Sequence, residues 1–93
     1  RTPRTPRELA LVQFLIERYG RATYEHVISG RGFINLLRFT SGNASPLLTS
    51  VDEDDLPAEI SRRGIEGSDP HCAEAVALFA TIYGSAAANL ALQ

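Results

Sequence analysis

Residues 24–36 read YEHVISGRGFINL, two apolar helical stretches with a glycine-containing break between them. Thr23 can cap a short helix from Tyr24 to about Ile28, because a hydroxyl at the N-cap accepts a hydrogen bond from a first-turn amide. Ser29-Gly30-Arg31-Gly32 interrupts the pattern, since two glycines two positions apart permit backbone angles that other residues avoid. Helical spacing then resumes in the apolar residues Phe33, Ile34, Leu36, Leu37 and Phe39.

Upstream of this segment, a helix is predicted from about Pro6 to Tyr19. Thr5-Pro6-Arg7-Glu8 is a capping box, in which Thr5 accepts from the Glu8 amide and Glu8 reaches back to Thr5. Gly20 suits a left-handed cap at the other end. The apolar side chains cover more than half of the circumference, so this helix is expected to have neighbours on two sides. They are Leu9, Leu11, Val12, Phe14, Leu15, Ile16 and Tyr19.

Downstream, the composition predicts a loop over residues 41–46 and two further helices. Asp55 is the predicted N-cap of a short helix from Leu56 to about Arg63, which Gly64 or Gly67 would end. The fold class expected for this segment is all-α, with four to five helices and no sheet.

The last helix is predicted to start at Ser68-Asp69-Pro70 and to be apolar nearly all round. From Cys72 onward its only charged residue is Glu74. Such a helix is buried in a larger core or spans a membrane. The weak hydrophobicity of its many alanines and the absence of Lys or Arg after it favour burial in a core.

The 93 residues suffice for one small domain and exclude two. The single cysteine excludes an internal disulfide framework and, with only two histidines, a zinc site. Residues 1–38 carry a net charge of +4 and residues 39–93 carry −6. Acids separate the arginines of the first part, which favours a solvated surface over a nucleic-acid interface. The acidic run at 52–55 lacks the turn glycine and distal glutamate of a calcium loop.

Motifs for self-contained catalysis are absent from the sequence, which has no phosphate-binding P-loop, no nucleophile elbow and no informative Cys/His spacing. Glu25 and His26 are adjacent, but adjacent helical side chains point in different directions. Taken alone, Glu25 is a first-turn carboxylate that favours the positive end of the helix dipole. His71 is expected to be solvated, and Cys72 is expected to be a small buried apolar residue.

Read as one string, residues 24–36 resemble the E-[RH]-V-[LI]-S-G-P-G-[LI]-[VI]-N-[LI] segment of the bacterial ATP-dependent glucokinase family. Residues 72–92 resemble that family's A-L-x-L-F-x-x-x-x-G-x-x-x-x-N-L-A-L helix. Residues 55–60 fit the short helix between the two motifs, and the capped helix at 6–19 fits the one before them. The order and spacing agree over essentially the whole chain.

The resemblance implies a parent enzyme with the actin-like, ribonuclease-H-like fold, in which two α/β domains close on a cleft. Such an enzyme transfers the γ-phosphoryl group of MgATP to the 6-hydroxyl of glucose. Residues 1–93 would be one helical segment of its larger domain, without a separate second domain. The family's aspartate base, phosphate loop and adenosine segment have no counterpart in these residues, so this fragment is expected to be inactive alone.

The resemblance also implies the partners of the intact enzyme, which are glucose, ATP and Mg²⁺. None of the three is expected to be bound to this fragment. The resemblance further implies a cytoplasmic enzyme without nucleic-acid or membrane partners, and it leaves a homodimer open.

For the site, the resemblance implies that Glu25 binds substrate, because the family's glutamate at this position accepts hydrogen bonds from sugar hydroxyls. A carboxylate suits that role, since it accepts without donating. The loop containing Ser29, Gly30 and Gly32 is a candidate neighbour of the site, and no catalytic residue or metal ligand is assigned.

Two positions depart from the family pattern. Arg31 replaces a proline, which loosens the loop and adds a charge attracted to phosphate. Residues 84–89 read GSAAAN where the family has G-x-x-[GA]-[GS]-N, and close packing is expected to be kept there.

Two alternatives to the enzyme segment stay open. A helix-turn-helix module for DNA or protein binding predicts an arginine-lined third helix, which here offers only Arg38 after its start. A membrane-anchored piece would use the last helix. For a segment of a larger kinase, the first and last helices are too broadly apolar for so small a core, which predicts excess apolar exposure or pairing with a second copy.

Overall fold

The computed structural model describes residues 5–22, 25–28 and 31–91, with the side chains of 25, 28 and 85–91 excepted. This part of the chain contains helices and connecting turns but no strand, which confirms the all-α prediction. The helices are α1 (Pro6–Tyr19), α2 (Glu25–Ile28), α3 (Gly32–Ser41), α4 (Leu47–Ser50), α5 (Leu56–Glu66) and α6 (Pro70–Ala91). The four-residue α4 was not predicted; the other five helices were. The predicted cap Thr23 lies outside the described residues.

Helix α1 has the predicted boundaries because both of its ends are capped by local groups. Thr5 Oγ1 accepts from the Glu8 amide at 3.2 Å. The Thr5 hydroxyl in turn donates to a Glu8 carboxylate oxygen, also at 3.2 Å, so the glutamate bonds the hydroxyl of Thr5. At the other end, Gly20 has a φ of 81° and its amide donates to the Ile16 carbonyl.

Helix α5 starts at Leu56 with Asp55 in the N-cap position, as predicted, but the Asp55 side chain does not cap it. Asp55 has helical backbone angles and its side chain makes no capping hydrogen bond. The amides of Asp55 and Leu56 both donate to the Asp52 carbonyl at 2.9 Å. The acidic turn therefore runs directly into the helix. The second helical residue, Pro57, has no amide hydrogen to donate to a capping side chain. The helix passes Gly64 and ends at the predicted alternative, Gly67.

Helix α6 starts as predicted, at Pro70, because Asp69 satisfies its first amides. One carboxylate oxygen of Asp69 accepts from His71 at 2.9 Å and from Cys72 at 3.2 Å. His71 is exposed and Cys72 is buried, as predicted for both.

The core lies where α3, α5 and α6 pack against one another, and α1 and α2 cover one side of it. Gly64 permits the approach of α5 to α6, because a Cβ at that position would lie 2.6 Å from the Cys72 carbonyl oxygen. Helix α1 adds only two fully buried side chains. The buried apolar residues are Leu11, Leu15, Val27, Ile34, Leu36, Leu37, Leu47, Leu56, Ile60, Cys72, Ala75, Leu78 and Ile82.

The predicted excess of apolar exposure is present. Leu9 and Tyr83 are each 55% exposed, Ile65 is 76% exposed, and Ile16 and Tyr19 are also exposed. For the close packing predicted over residues 84–89, the described residues make no such contact at Gly84, because none of their atoms lies within 4 Å of a Cβ built there. The side chains of residues 85–89 lie outside the described part. Among the residues described, no helix combines the length and apolarity required to cross a membrane.

Candidate functional site at helix α2

Helix α2 carries Glu25 as its first residue and has only four residues. A helix of this length does not form alone in water, because the conformational entropy lost in fixing the first turn exceeds the stabilisation from its hydrogen bond. Its position in the fold therefore depends on contacts with its neighbours. Those contacts come from the end of α1, from the start of α3 and from α6.

Asn35 of α3 makes the main polar contact with α2. Its side-chain amide nitrogen donates to the His26 carbonyl at 2.7 Å. Its amide oxygen accepts from the Tyr19 hydroxyl at 2.8 Å. Asn35 is only 2% exposed. Burying its side-chain amide without hydrogen bonds would cost free energy of folding, and these two bonds give both the nitrogen and the oxygen a partner.

Tyr19, at the end of α1, contacts α2 through its ring as well. The Tyr19 ring stacks on the His26 imidazole with the centroids 4.1 Å apart and the planes inclined by 16°. Tyr19 therefore contacts the same residue of α2 from two directions, directly by its ring and through Asn35 by its hydroxyl.

Gly32 forms the third contact with α2. Gly32 is buried against the Val27 backbone, and a Cβ at this position would overlap the Val27 carbonyl. Val27 itself is buried in the core. A glycine is therefore required here by the close approach of two backbone segments. Of the predicted loop residues, Gly32 thus has a packing role, while Ser29 and Gly30 lie outside the described residues.

Arg31 pairs with Glu53 of the acidic turn across the start of α3. Both side chains are exposed, so this ion pair contributes at most about 1 kcal/mol. The charge predicted to attract phosphate is thus partly neutralised by a carboxylate of the same chain. Glu53 belongs to the acidic run at 52–55, whose side chains are all exposed, and the ion pair gives this one carboxylate a partner.

Titratable groups elsewhere in the described part are structural in character. Burial, with a further contribution from Asp69, raises the pKa of the Cys72 thiol to about 11. The hydrogen bond and charge of Arg7 lower the pKa of Glu74, whose carboxylate accepts from Arg7 at 2.5 and 2.9 Å. Burial, followed by the charges of Arg18 and Arg31, lowers the pKa of Arg38. Within the described ranges, no three His, Cys, Asp or Glu side chains are grouped to hold a metal ion.

Helix α3 does not fit the helix-turn-helix alternative. A recognition helix presents an exposed face to a DNA groove. In α3, residues 34–37 are all buried, so successive sides of the helix are occupied by the fold.

The arrangement brings Tyr19, His26 and Asn35 together, and sequence reasoning did not select this group. Asn35 belongs to the segment at residues 24–36, but no role was predicted for it. The available signal was a polar amide in the middle of an otherwise apolar helix, which must find partners when it is buried. The identity of those partners depends on how α1 folds back onto α3, and that is not readable from local spacing.

Comparison with known proteins covers nearly the whole chain. The family described as Glucokinase matches residues 2–93. A protein named Glucokinase from Chromobacterium violaceum is 38% identical over 91 residues, which is 97% of this chain and 25% of that protein. Its namesake from Aromatoleum aromaticum is 40% identical over 91 residues, covering 95% of this chain and 25% of that protein.

A protein of the same name from Brucella abortus is 38% identical over 90 residues, again 97% of this chain and 25% of that protein. The chain therefore spans about a quarter of the length of the relatives it matches. No solved structure matches it.

Proposed function

Because the chain belongs to the glucokinase family, we propose that it is part of an enzyme that phosphorylates glucose at the 6-hydroxyl with MgATP. Within that enzyme, these residues form one wall of the sugar pocket, and Glu25 contacts the sugar. The family match over residues 2–93 carries the proposal. The position of Glu25 on a helix held from two sides supports it.

Glu25 would act by binding and orienting the sugar. An ionised carboxylate only accepts hydrogen bonds, and sugar hydroxyls can donate them, so the pair forms charge-assisted bonds. Holding the hexose in one orientation brings its 6-hydroxyl into line with the transferred phosphoryl group, and alignment of this kind lowers the barrier of phosphoryl transfer. Glu25 has no proposed role in proton transfer.

MgATP is the phosphoryl donor in this proposal, but the described residues do not fit it. They contain no group of three potential metal ligands. The basic residue at the start of α3, Arg31, is paired with Glu53. Binding of the nucleotide and its metal is therefore assigned to other parts of the enzyme, and this segment alone is proposed to be inactive.

The parent would be a two-domain α/β enzyme of the actin-like class, located in the cytoplasm. In that enzyme, residues 1–93 would form one helical segment of the larger domain. The exposed apolar residues of α1 and α6 support this placement, since such side chains are usually covered by further structure in a native protein.

The test is Glu25→Gln in the full-length enzyme, which removes the charge and keeps the shape. We expect kcat/KM for glucose to fall about ten- to a hundredfold, because a hydrogen bond to a charged group is worth about 1.5–3 kcal/mol. The KM for ATP should not change. Glu17→Gln, at an exposed position of α1, is the matched control and should leave the kinetics as they are. Unchanged glucose kinetics in Glu25→Gln would refute the assignment.

A further inference from the structure

We infer that Tyr19 and Asn35 form a positioning pair that sets the place of Glu25 in the sugar site. The inference rests on the proposed function, since it presupposes that Glu25 contacts the sugar. Neither residue is proposed to touch substrate. Both act through the backbone of α2, whose second residue they hold.

The first step is that α2 has no means of holding itself in place. Four residues close at most one helical turn, and one turn is unstable in isolation. Contacts that locate α2 include the Asn35 bond to the His26 carbonyl, the Tyr19 ring on the His26 imidazole, and the burial of Val27 beside Gly32. Helix α6 also packs against α2. The first two contacts, which both hold His26, involve the pair.

The second step is that donor and acceptor are fixed in both hydrogen bonds of the pair. The His26 carbonyl can only accept, so the Asn35 side chain must present its nitrogen there. The Asn35 oxygen then faces Tyr19, whose hydroxyl donates to it. A donor and an acceptor in series polarise each other, which strengthens both bonds in a buried site. Removing the Tyr19 hydroxyl therefore weakens the hold on His26 as well.

The third step connects this hold to substrate binding. Glu25 directly precedes His26 in α2, so its backbone moves with the carbonyl that Asn35 binds. A displacement of about 1 Å in a group that orients substrate can cost up to about a hundredfold in rate. Partial loosening of α2 should cost less than that, and it should appear in glucose binding first.

The experiment is a double-mutant cycle in the full-length enzyme with Tyr19→Phe and Glu25→Gln. Phenylalanine keeps the ring that stacks on His26 and removes only the hydroxyl. We expect Tyr19→Phe alone to raise the KM for glucose about three- to tenfold, with kcat and the KM for ATP changed less than about twofold. In the Glu25→Gln background the same change should have almost no effect on the KM for glucose, because the group it positions is already disabled.

Two controls separate positioning from stability. Tyr83→Phe removes the same hydroxyl from a ring of α6 that stacks on Phe79 rather than on α2, and it should leave the KM for glucose unchanged. Thr40→Val removes a buried hydroxyl that donates to the His71 carbonyl at 2.9 Å, away from α2. It should lower the melting temperature at least as much as Tyr19→Phe without changing the KM for glucose.

The outcomes distinguish this inference from the proposed function. If Glu25→Gln impairs glucose use but Tyr19→Phe has no effect, or an equal effect in both backgrounds, the positioning pair is refuted and the proposed function stands. If Glu25→Gln has no effect, the proposed role of Glu25 fails and the inference fails with it. If the effect of Tyr19→Phe on the KM for glucose disappears in the Glu25→Gln background, and the control variants leave that KM unchanged, the positioning pair and the proposed function are both supported.

Discussion

Cys72 lies at the start of α6 with no part of its side chain exposed. Burial disfavours the thiolate, and the nearby Asp69 adds a negative charge, so the pKa of the thiol is raised to about 11. The thiolate is the nucleophile in reactions with thiol reagents. At pH 8 only about one molecule in a thousand would carry the thiolate, even if a reagent could reach it.

We therefore expect Cys72 to resist thiol reagents in the folded chain. At pH 8, reaction with a disulfide reagent should be at least about a hundredfold slower than in a denaturant, where the pKa returns to its ordinary range near 8.5. A disulfide reagent that releases a coloured thiol allows the reaction to be followed by absorbance. Because the chain has a single cysteine, that absorbance measures the reaction of Cys72 alone. Rapid stoichiometric labelling under native conditions would contradict the described packing of α6.

Residue-level prediction succeeded where a side chain's role depends on its own type and failed where it depends on a distant partner. Burial of Cys72 follows from its small apolar character in an apolar helix. The role of Asn35 depends on Tyr19, which is 16 positions away in sequence. Asp55 occupies the predicted N-cap position, yet its side chain makes no capping hydrogen bond.

At the scale of elements, the two glycines at 64 and 84 form a natural comparison. Gly64 lies in α5 where the helix meets α6, and a Cβ there would come 2.6 Å from the Cys72 carbonyl oxygen. Gly84 lies in α6, and a Cβ there would have nothing within 4 Å. Both positions are helical, so the intrinsic gain from replacing glycine with alanine is about the same at each.

Gly64→Ala should therefore destabilise the chain and Gly84→Ala should not. Overpacking costs about 1–3 kcal/mol, which outweighs the gain in helix propensity of about 1 kcal/mol. Without overpacking, Gly84→Ala keeps that gain. Urea unfolding of the 93-residue chain, followed by circular dichroism, measures both variants. Equal stability of the two variants would mean that α5 and α6 do not approach at Gly64.

Element boundaries followed from the sequence wherever local groups determine them. Helix α1 has its capping box and Gly20, and α6 has Asp69 before Pro70, so both starts and the end of α1 were predicted. Helix α4 was missed because residues 41–46 were predicted as a loop, although the Ser45 hydroxyl oxygen accepts from the Leu47 amide at 3.3 Å and marks its start. Of the two glycines predicted as possible ends of α5, Gly67 ends the helix, whereas Gly64 lies within it at the contact with α6. That contact is a tertiary effect with no local signature.

At the scale of the whole molecule, α1 has two apolar faces, and the fold uses one of them. Leu11 and Leu15 face the core. Leu9, Ile16 and Tyr19 are exposed, and Leu9 and Ile16 are seven positions apart, which places them on the same side of the helix. The broad apolar circumference predicted from the sequence is thus explained by a second face that the described residues leave exposed. In a longer enzyme, further structure would cover it.

Given this open face, we expect the 93-residue chain to self-associate in the absence of other structure. Burying Leu9 and Ile16 between two copies would contribute a few kcal/mol, since a fully buried aliphatic side chain contributes about 1.5–3 kcal/mol. Sedimentation should give a mass that rises above 10.1 kDa with concentration. Ile16→Glu should return the mass toward the monomer, because it places a charge in the buried patch.

Ala58→Glu, at an exposed position of α5 away from this face, is the matched control and should associate like the parent chain. A constant mass of 10.1 kDa at millimolar concentration would show that the exposed face of α1 is tolerated in water. The same Ile16→Glu change in the full-length enzyme makes a separate prediction. If further structure covers α1 there, the variant should lose stability by more than about 2 kcal/mol, since an unpaired charge would be buried. Both predictions depend on one apolar face, which a second copy would cover in the short chain and the rest of the enzyme would cover in the long one.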